Sequence, residues 1–217
     1  MEMEITMKKC ALHSLGCKVN SYETQAMQKM MESAGYEIVP FGEEIADIYI
    51  INTCSVTNIA DRKSRQMIHK AKKLNPEAVV AAAGCYVESA GDNIDEDVDI
   101  VIGNNEKSHL IEILNEYFEH MDKEKSVDIG KATGFDELNI DSPLEHTRAY
   151  VKIQDGCNRF CSYCIIPYVR GRIRSRKPDD VMAEIKRVAA SGCKEVVLTG
   201  IHLSLIHISE PTRRVVI

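Results

Sequence analysis

Apolar and polar positions alternate along residues 8–120 in a pattern that predicts short buried strands separated by amphipathic helices. The predicted strands are residues 8–15, 36–39, 47–52, 78–83 and 99–102. The predicted helices run from about residue 20 to 34, from 57 to 74 and from 108 to 118. We expect Asn20 or Ser21 to cap the first helix and Ser108 the last, because short polar side chains satisfy the free N–H groups there. Strands that alternate with helices predict a parallel α/β sheet of the Rossmann or flavodoxin type, which binds ligands beyond the carboxyl ends of its strands.

The periodic pattern resumes in the last third of the chain. A predicted strand at residues 149–154 is followed by a helix that Pro178 opens and by a strand at residues 195–198. These one and a half strand–helix units predict the start of a partial (β/α) barrel, a fold whose reactive groups lie at the carboxyl ends of its strands.

The pattern divides the chain into four parts. Residues 1–121 are predicted to form an N-terminal domain, residues 122–147 a charged, glycine-containing linker, and residues 148–204 the start of the barrel domain. After Ser204 the barrel pattern breaks off, and residues 205–217 look like read-through or adapter sequence fused to a truncated gene. Resequencing of the locus tests this hypothesis.

Composition excludes several classes of protein. The chain has 217 residues and a formal net charge of −6, so it has no overall positive field that would attract nucleic acid. Its eight cysteines, in a chain without a secretory pattern, indicate metal ligation or catalysis rather than a disulfide framework. No apolar run approaches the roughly 20 residues that span a bilayer. We therefore expect a cytoplasmic protein without membrane contact.

Three cysteines, Cys157, Cys161 and Cys164, lie within eight residues directly after a predicted strand. A structural zinc site needs a fourth ligand, whereas a [4Fe–4S] cluster held by three thiolates keeps one iron open for a small molecule. A zinc knuckle with a distant fourth ligand is the alternative.

Three further cysteines, Cys17, Cys54 and Cys85, each follow the end of a different predicted strand. Since the carboxyl ends of parallel strands meet at one edge of the sheet, we expect these thiols to converge there. The alternative is three unrelated small buried residues, of the kind that Cys10 represents inside its strand.

A basic stretch begins within the Cys157–Cys164 segment and continues beyond it. It consists of Arg159, Arg170, Arg172, Arg174, Arg176 and Lys177. Guanidinium groups bind phosphates well, so the stretch is a candidate contact for an RNA backbone. Solvated arginines paired with the acidic linker are an equally open alternative.

The spacing of Cys157, Cys161 and Cys164, with Tyr163 before the last cysteine, resembles that of the radical S-adenosylmethionine enzymes. The segments around the other cysteines, 14–20, 52–57 and 84–86, resemble three motifs of the methylthiotransferase family, and the resemblance covers about residues 8–204.

The resemblance implies two [4Fe–4S] clusters. Cys157, Cys161 and Cys164 would hold the one that binds and cleaves S-adenosylmethionine, with Tyr163 also at the cofactor. Cys17, Cys54 and Cys85 would hold the other cluster, at which sulfur is carried. The family also implies a tRNA substrate and a low-potential electron donor.

Within the family, residues 16–23 and 165–172 resemble the branch that methylthiolates C2 of N6-threonylcarbamoyladenosine beside the tRNA anticodon. The branches acting on N6-isopentenyladenosine in tRNA or on a ribosomal-protein aspartate are alternatives. Two other classes stay open, which are an iron–sulfur module without radical chemistry and an inactive fragment.

Overall fold

The computed structural model describes residues 8–120, 134–140 and 148–203. Its first five strands are β1 (Lys9–Ser14), β2 (Glu37–Ile38), β3 (Ile48–Thr53), β4 (Val79–Gly84) and β5 (Ile100–Ile102). They form one parallel sheet in the order β2-β1-β3-β4-β5, which confirms the predicted α/β class. The direction of strand addition reverses between β1 and β3, and doubly wound sheets bind ligands at such a point.

Helices cover both faces of this sheet. They are α1 (Lys18–Ser33), α2 (Asn58–Leu74), α3 (Cys85–Ala90) and α4 (Leu110–His120). On one face α1 and α4 bury Met27, Met31 and Leu114 against Ile50, and on the other face α2 and α3 pack over Ile51. Every residue of β3 is buried, as expected of a central parallel strand that is covered on both sides.

The predicted cap of α1 is wrong. The helix begins at Lys18 with Cys17 at the N-cap, so Asn20 lies within the first turn. The buried Asn20 amide donates instead to the carbonyl of Thr53 at 2.8 Å, at the end of the neighbouring strand. A tertiary hydrogen bond has taken the side chain that a local rule would assign to the cap.

The predicted cap of α4 is also wrong. Ser108 lies inside a short 3-10 turn, Lys107–His109, and α4 begins after it at Leu110. The backbone N–H groups of Lys107 and Ser108 donate to the carboxylate of Asp136 at 3.1 and 3.3 Å. A side chain distant in sequence therefore satisfies the free N–H groups.

The last part of the described chain forms a second sheet in the order β7-β6-β8. Its elements are β6 (Arg148–Asp155), α5 (Ile166–Val169), β7 (Arg174–Ser175), α6 (Pro178–Ala190) and β8 (Glu195–Gly200). β6 and β8 are parallel and are joined through α6, as the sequence predicts, whereas β7 adds antiparallel pairing to β6. Two-residue strands such as β7 are too short to produce a periodic pattern.

Residues 134–140, which lie within the predicted linker, are packed between the two parts. Leu138 and Ile140 are buried together with Tyr22 of α1, Ala149 of β6 and Val188 of α6. The remainder of the predicted linker and residues 205–217 lie outside the described residues. None of the described helices has the length and apolar character needed to cross a bilayer.

Candidate metal centres

The first group of cysteines lies at the carboxyl edge of the five-stranded sheet. Cys17 follows β1, Cys54 follows β3 directly, and Cys85 follows β4 as the first residue of α3. These three strands are neighbours, and their carboxyl ends are paired in register. The predicted convergence therefore follows from the strand order, with Cys17 and Cys54 on the two sides of the point where that order reverses.

Two glycines permit the backbone to approach closely here. Gly16 has a φ of +100°, and a Cβ on it would lie 2.9 Å from both Cβ and Sγ of Cys54. Gly84 has a φ of +95°, and a Cβ on it would lie 2.5 Å from the carbonyl oxygen of Thr53. A side chain at either position would push the strand ends, and with them the cysteines, apart.

The surroundings of Cys54 fit a group with acceptor atoms. Cys54 and Cys85 are buried and Cys17 is exposed, so the group would lie at the rim of the sheet. The hydroxyl of Ser55 is buried and has no hydrogen-bond partner within the part of the chain that the structure describes. A cluster sulfur would accept such a bond, and hydrogen bonds to the sulfurs tune iron–sulfur clusters.

The second group of cysteines lies in the loop that follows β6. Cys157, Cys161 and Cys164 line one cavity of about 220 Å³. Ile201 and His202, just beyond the end of β8, line it as well. Three thiols that open onto one cavity at the carboxyl ends of parallel strands fit a cluster with room for a small ligand.

The loop is held in a strained conformation by aromatic packing. Phe160 has a φ of 46°, the one positive value found at a described residue other than glycine. The Arg172 guanidinium lies over its ring at 4.6 Å, and the ring of Tyr168 meets it edge-on at 5.6 Å. Strained residues of this kind concentrate at functional loops.

The structure places two residues differently from what the motif alone suggests. Tyr163, predicted to lie at the cofactor, is 91% exposed and is absent from the residues that line the cavity. Its cofactor role stays a prediction. His202 was not predicted as a site residue, yet its Nδ1 lies 3.6 Å from Cys157 Sγ. Its position just past a strand end is the sequence signal that could have identified it.

Neither group of thiols has the spacing of a single zinc site. Zn–S bonds of about 2.3 Å hold thiolates roughly 3.8 Å apart. Among the described residues, the one group of three metal-ligating side chains with ligand atoms within 4.8 Å of one another is His69, Asp95 and Asp97. That group lies elsewhere, where His69 forms ion pairs with both aspartates at 3.2 and 2.7 Å.

Between the two cysteine sites lies a set of buried ion pairs, here called the charge bridge. It comprises Glu23 on α1, Lys107, Lys152 and Asp155 on β6, and Arg170 after α5. Glu23 is bonded to Lys107 at 2.9 Å, to Lys152 at 2.8 Å and to Arg170 at 3.1 Å. Asp155 is bonded to Lys152 at 2.6 Å and to Arg170 at 3.1 Å. The bridge therefore joins the first part of the chain to the second.

The burial of three arginines overturns part of the predicted RNA contact. Arg170, Arg174 and Arg176 are at most 6% exposed, so they cannot reach a phosphate backbone. Arg174 donates to two backbone carbonyls, and Arg176 pairs with Glu137 of the predicted linker and with Glu184. Arg176 pairs with the linker as the alternative expected, but it is buried rather than solvated. The exposed members of the stretch are Arg159, Arg172 and Lys177.

Comparison with known proteins assigns the two halves to different families. Residues 9–103 match the family described as Uncharacterized protein family UPF0004, and residues 151–214 match the Radical SAM superfamily. Each match contains one of the two cysteine sites, and together with the relatives named next they confirm the predicted resemblance to the radical S-adenosylmethionine methylthiotransferases. The second match includes most of residues 205–217, whose non-native origin stays a prediction.

Individual relatives carry more specific names. The chain is 44% identical over 199 residues to the threonylcarbamoyladenosine tRNA methylthiotransferase MtaB of Bacillus subtilis (strain 168). This alignment covers 90% of this chain and 44% of that protein. The chain is also 44% identical over 201 residues to MtaB of Aquifex aeolicus (strain VF5), covering 90% and 48%. The tRNA-2-methylthio-N(6)-dimethylallyladenosine synthase of Photorhabdus laumondii is 34% identical over 202 residues, covering 90% and 42%. The chain thus spans about half the length of the curated relatives it matches.

Proposed function

We propose that this chain acts in the radical S-adenosylmethionine-dependent methylthiolation of C2 of N6-threonylcarbamoyladenosine in tRNA, next to the anticodon. The observation that carries the proposal is the presence of two separate cysteine sites, each at the carboxyl ends of parallel strands, in one chain. The modified base is supported by the names of the two relatives at 44% identity, against 34% for the dimethylallyladenosine synthase.

In this proposal the two cysteine sites have different tasks. Cys157, Cys161 and Cys164 hold the cluster that binds S-adenosylmethionine, with Tyr163 also contacting the cofactor. Cys17, Cys54 and Cys85 hold the other iron–sulfur cluster. When bound, the clusters and S-adenosylmethionine supply the radical and sulfur-transfer chemistry.

The chain's own residues position and enclose these groups. Asp155 accepts the backbone N–H of Gly156 at 2.7 Å and so fixes the start of the second cysteine loop. The charge bridge holds that loop against the part of the chain that carries the first cysteines. The remaining partners in the proposal are the tRNA anticodon loop and a low-potential electron donor, in the cytoplasm.

Iron content tests the two sites separately. After anaerobic reconstitution we expect about eight irons per chain, because each site holds one four-iron cluster. Alanine substitution of either set of cysteines is expected to reduce the iron content to about four per chain. The two sets are Cys17, Cys54 and Cys85, and Cys157, Cys161 and Cys164. Cys193→Ser is the matched control and is expected to leave the iron content unchanged. Four or fewer irons in the unaltered chain, or tightly bound zinc, would contradict two clusters.

Nucleoside analysis of tRNA tests the reaction. We expect a Cys157→Ala substitution at the chromosomal locus to abolish 2-methylthio-N6-threonylcarbamoyladenosine in digested tRNA and to leave its unthiolated precursor. Cys193→Ser at the same locus should change neither nucleoside.

Other outcomes distinguish the alternatives. Loss of the 2-methylthio derivative of isopentenyladenosine, or of a modified ribosomal-protein aspartate, would move the proposal to another branch. Two clusters without reductive cleavage of S-adenosylmethionine would favour an iron–sulfur module.

A further inference from the structure

The charges within the charge bridge do not balance. Three cations, at Lys107, Lys152 and Arg170, are paired with two carboxylates, at Glu23 and Asp155, and all five side chains are at most 2% exposed. The ion-paired set therefore carries one excess positive charge in the interior. Such a charge is costly to bury unless a nearby group holds the opposite charge.

Hydrogen bonds lead from the bridge to the first cysteine site. Lys107 Nζ donates to Asn104 Oδ1 at 2.7 Å, and Asn104 Nδ2 lies 4.0 Å from Cys85 Sγ. The same amide donates to the carbonyl of Val169 at 2.6 Å, one residue before Arg170. The Asn104 side chain thus links the ammonium group of Lys107 to Cys85.

Two further carboxyl groups lie at the edge of the bridge. Asp136 accepts from the backbone N–H groups of Lys107 and Ser108, at the start of the 3-10 turn. Glu88 accepts from the backbone N–H of Asn104 at 2.7 Å, and burial raises its pKa to about 7. Both carboxyl groups offset part of the excess positive charge, and at neutral pH Glu88, with its raised pKa, offsets less of it than an ordinary glutamate would.

We propose that the buried charge of Lys107 raises the reduction potential of the iron–sulfur cluster held by Cys17, Cys54 and Cys85. The inference rests on the proposed function, since it requires a cluster on these cysteines. Reduction adds one electron and no proton, so the site gains one unit of negative charge. A cation at a fixed position in a low-dielectric interior stabilises the reduced form more than the oxidised form. The Lys107 cation therefore favours the extra negative charge that reduction adds at the cluster.

The test compares Lys107→Met with Lys152→Met, because each removes one cation from the bridge and leaves two cations paired with two carboxylates. Both are made in the full chain with Cys157, Cys161 and Cys164 replaced by Ala, so that only the first site can hold a cluster. Dithionite is the electron donor, and the midpoint potential is followed by electron paramagnetic resonance. We expect Lys107→Met to lower the reduced-to-oxidised ratio at a given potential about tenfold. This corresponds to a fall in the midpoint potential of about 59 mV for one electron. Lys152 binds Glu23 and Asp155 and has no link to Asn104 among the described contacts, so Lys152→Met should shift the midpoint potential less than half as far.

A charge-restoring variant separates electrostatics from structural damage. Lys107→Met combined with Glu23→Gln returns the bridge to one excess positive charge, so the potential should move back toward that of the parent chain. Equal shifts for the two lysine substitutions, or no shift for Lys107→Met, would overturn the inference and leave the proposed function intact. Failure of Cys17, Cys54 and Cys85 to bind iron at all would overturn both.

Discussion

Glu23→Ala is expected to destabilise the chain by about 3–5 kcal/mol, because it leaves three buried cations with a single carboxylate. Glu23 is 0% exposed and is bonded to Lys107, Lys152 and Arg170. No rearrangement of surface side chains can replace it, since water does not reach these groups. Denaturant unfolding of the chain measures the loss, and a change below about 1 kcal/mol would contradict the role given to the bridge.

Glu32→Ala is the matched control on the same helix. Glu32 pairs with Lys29 at 3.5 Å and is partly exposed, so its loss is expected to cost less than about 1 kcal/mol. The pH dependence separates the two glutamates further. Burial raises the pKa of Glu23, but the charges of Arg170, Lys107 and Lys152 outweigh this and hold the pKa well below its usual 4.5. The stability that Glu23 contributes is therefore present above pH 4.5 and lost as the pH falls through its lower folded-state value.

Gly156→Ala is expected to destabilise the chain by about 3 kcal/mol or more and to prevent cluster assembly on the following cysteines. Gly156 has a φ of +72°, and a Cβ on it would lie 2.0 Å from the carbonyl oxygen of Arg172. That oxygen belongs to the backbone, so the contact can be relieved only by moving the loop that carries Cys157. Unfolding measurements and iron analysis check the two consequences, and we expect about four irons instead of about eight.

Gly192→Ala separates the clash from the backbone strain. Gly192 also has a positive φ, of +91°, but a Cβ on it would meet nothing within 4 Å. We expect this substitution to cost about 1 kcal/mol, from the left-handed conformation alone, and to leave the iron content unchanged. Similar losses for both alanine variants would show that the close approach at Gly156 has no special importance.

The strand ends were predictable because they depend on local patterns. The short apolar runs of β1, β3 and β4 mark buried strands, and each run stops at the residue or turn that precedes Cys17, Cys54 or Cys85. Parallel strands share one carboxyl edge, so the convergence of these cysteines follows from local signals and one topological rule. The three cysteines after β6 were identified from spacing alone.

The charge bridge was not predictable in this way. The sequence places Arg170 among its basic neighbours as a candidate phosphate contact, whereas it is buried and bonded to Glu23, 147 residues away in sequence. Glu23 was predicted only as a position in a motif, and Lys152 as part of a strand. A charge in a sequence shows neither its partner nor its burial, because both depend on which distant segments come together.

The sequence by itself thus determined the α/β class and the two groups of cysteines, since apolar period, turn residues and ligand spacing are local properties. Only the tertiary structure decided how the two halves meet, with three cations and two carboxylates enclosed between the cysteine sites. The physical reason is that the burial of charge is stabilised by partners that the fold brings together from α1, β6 and the segment after α5.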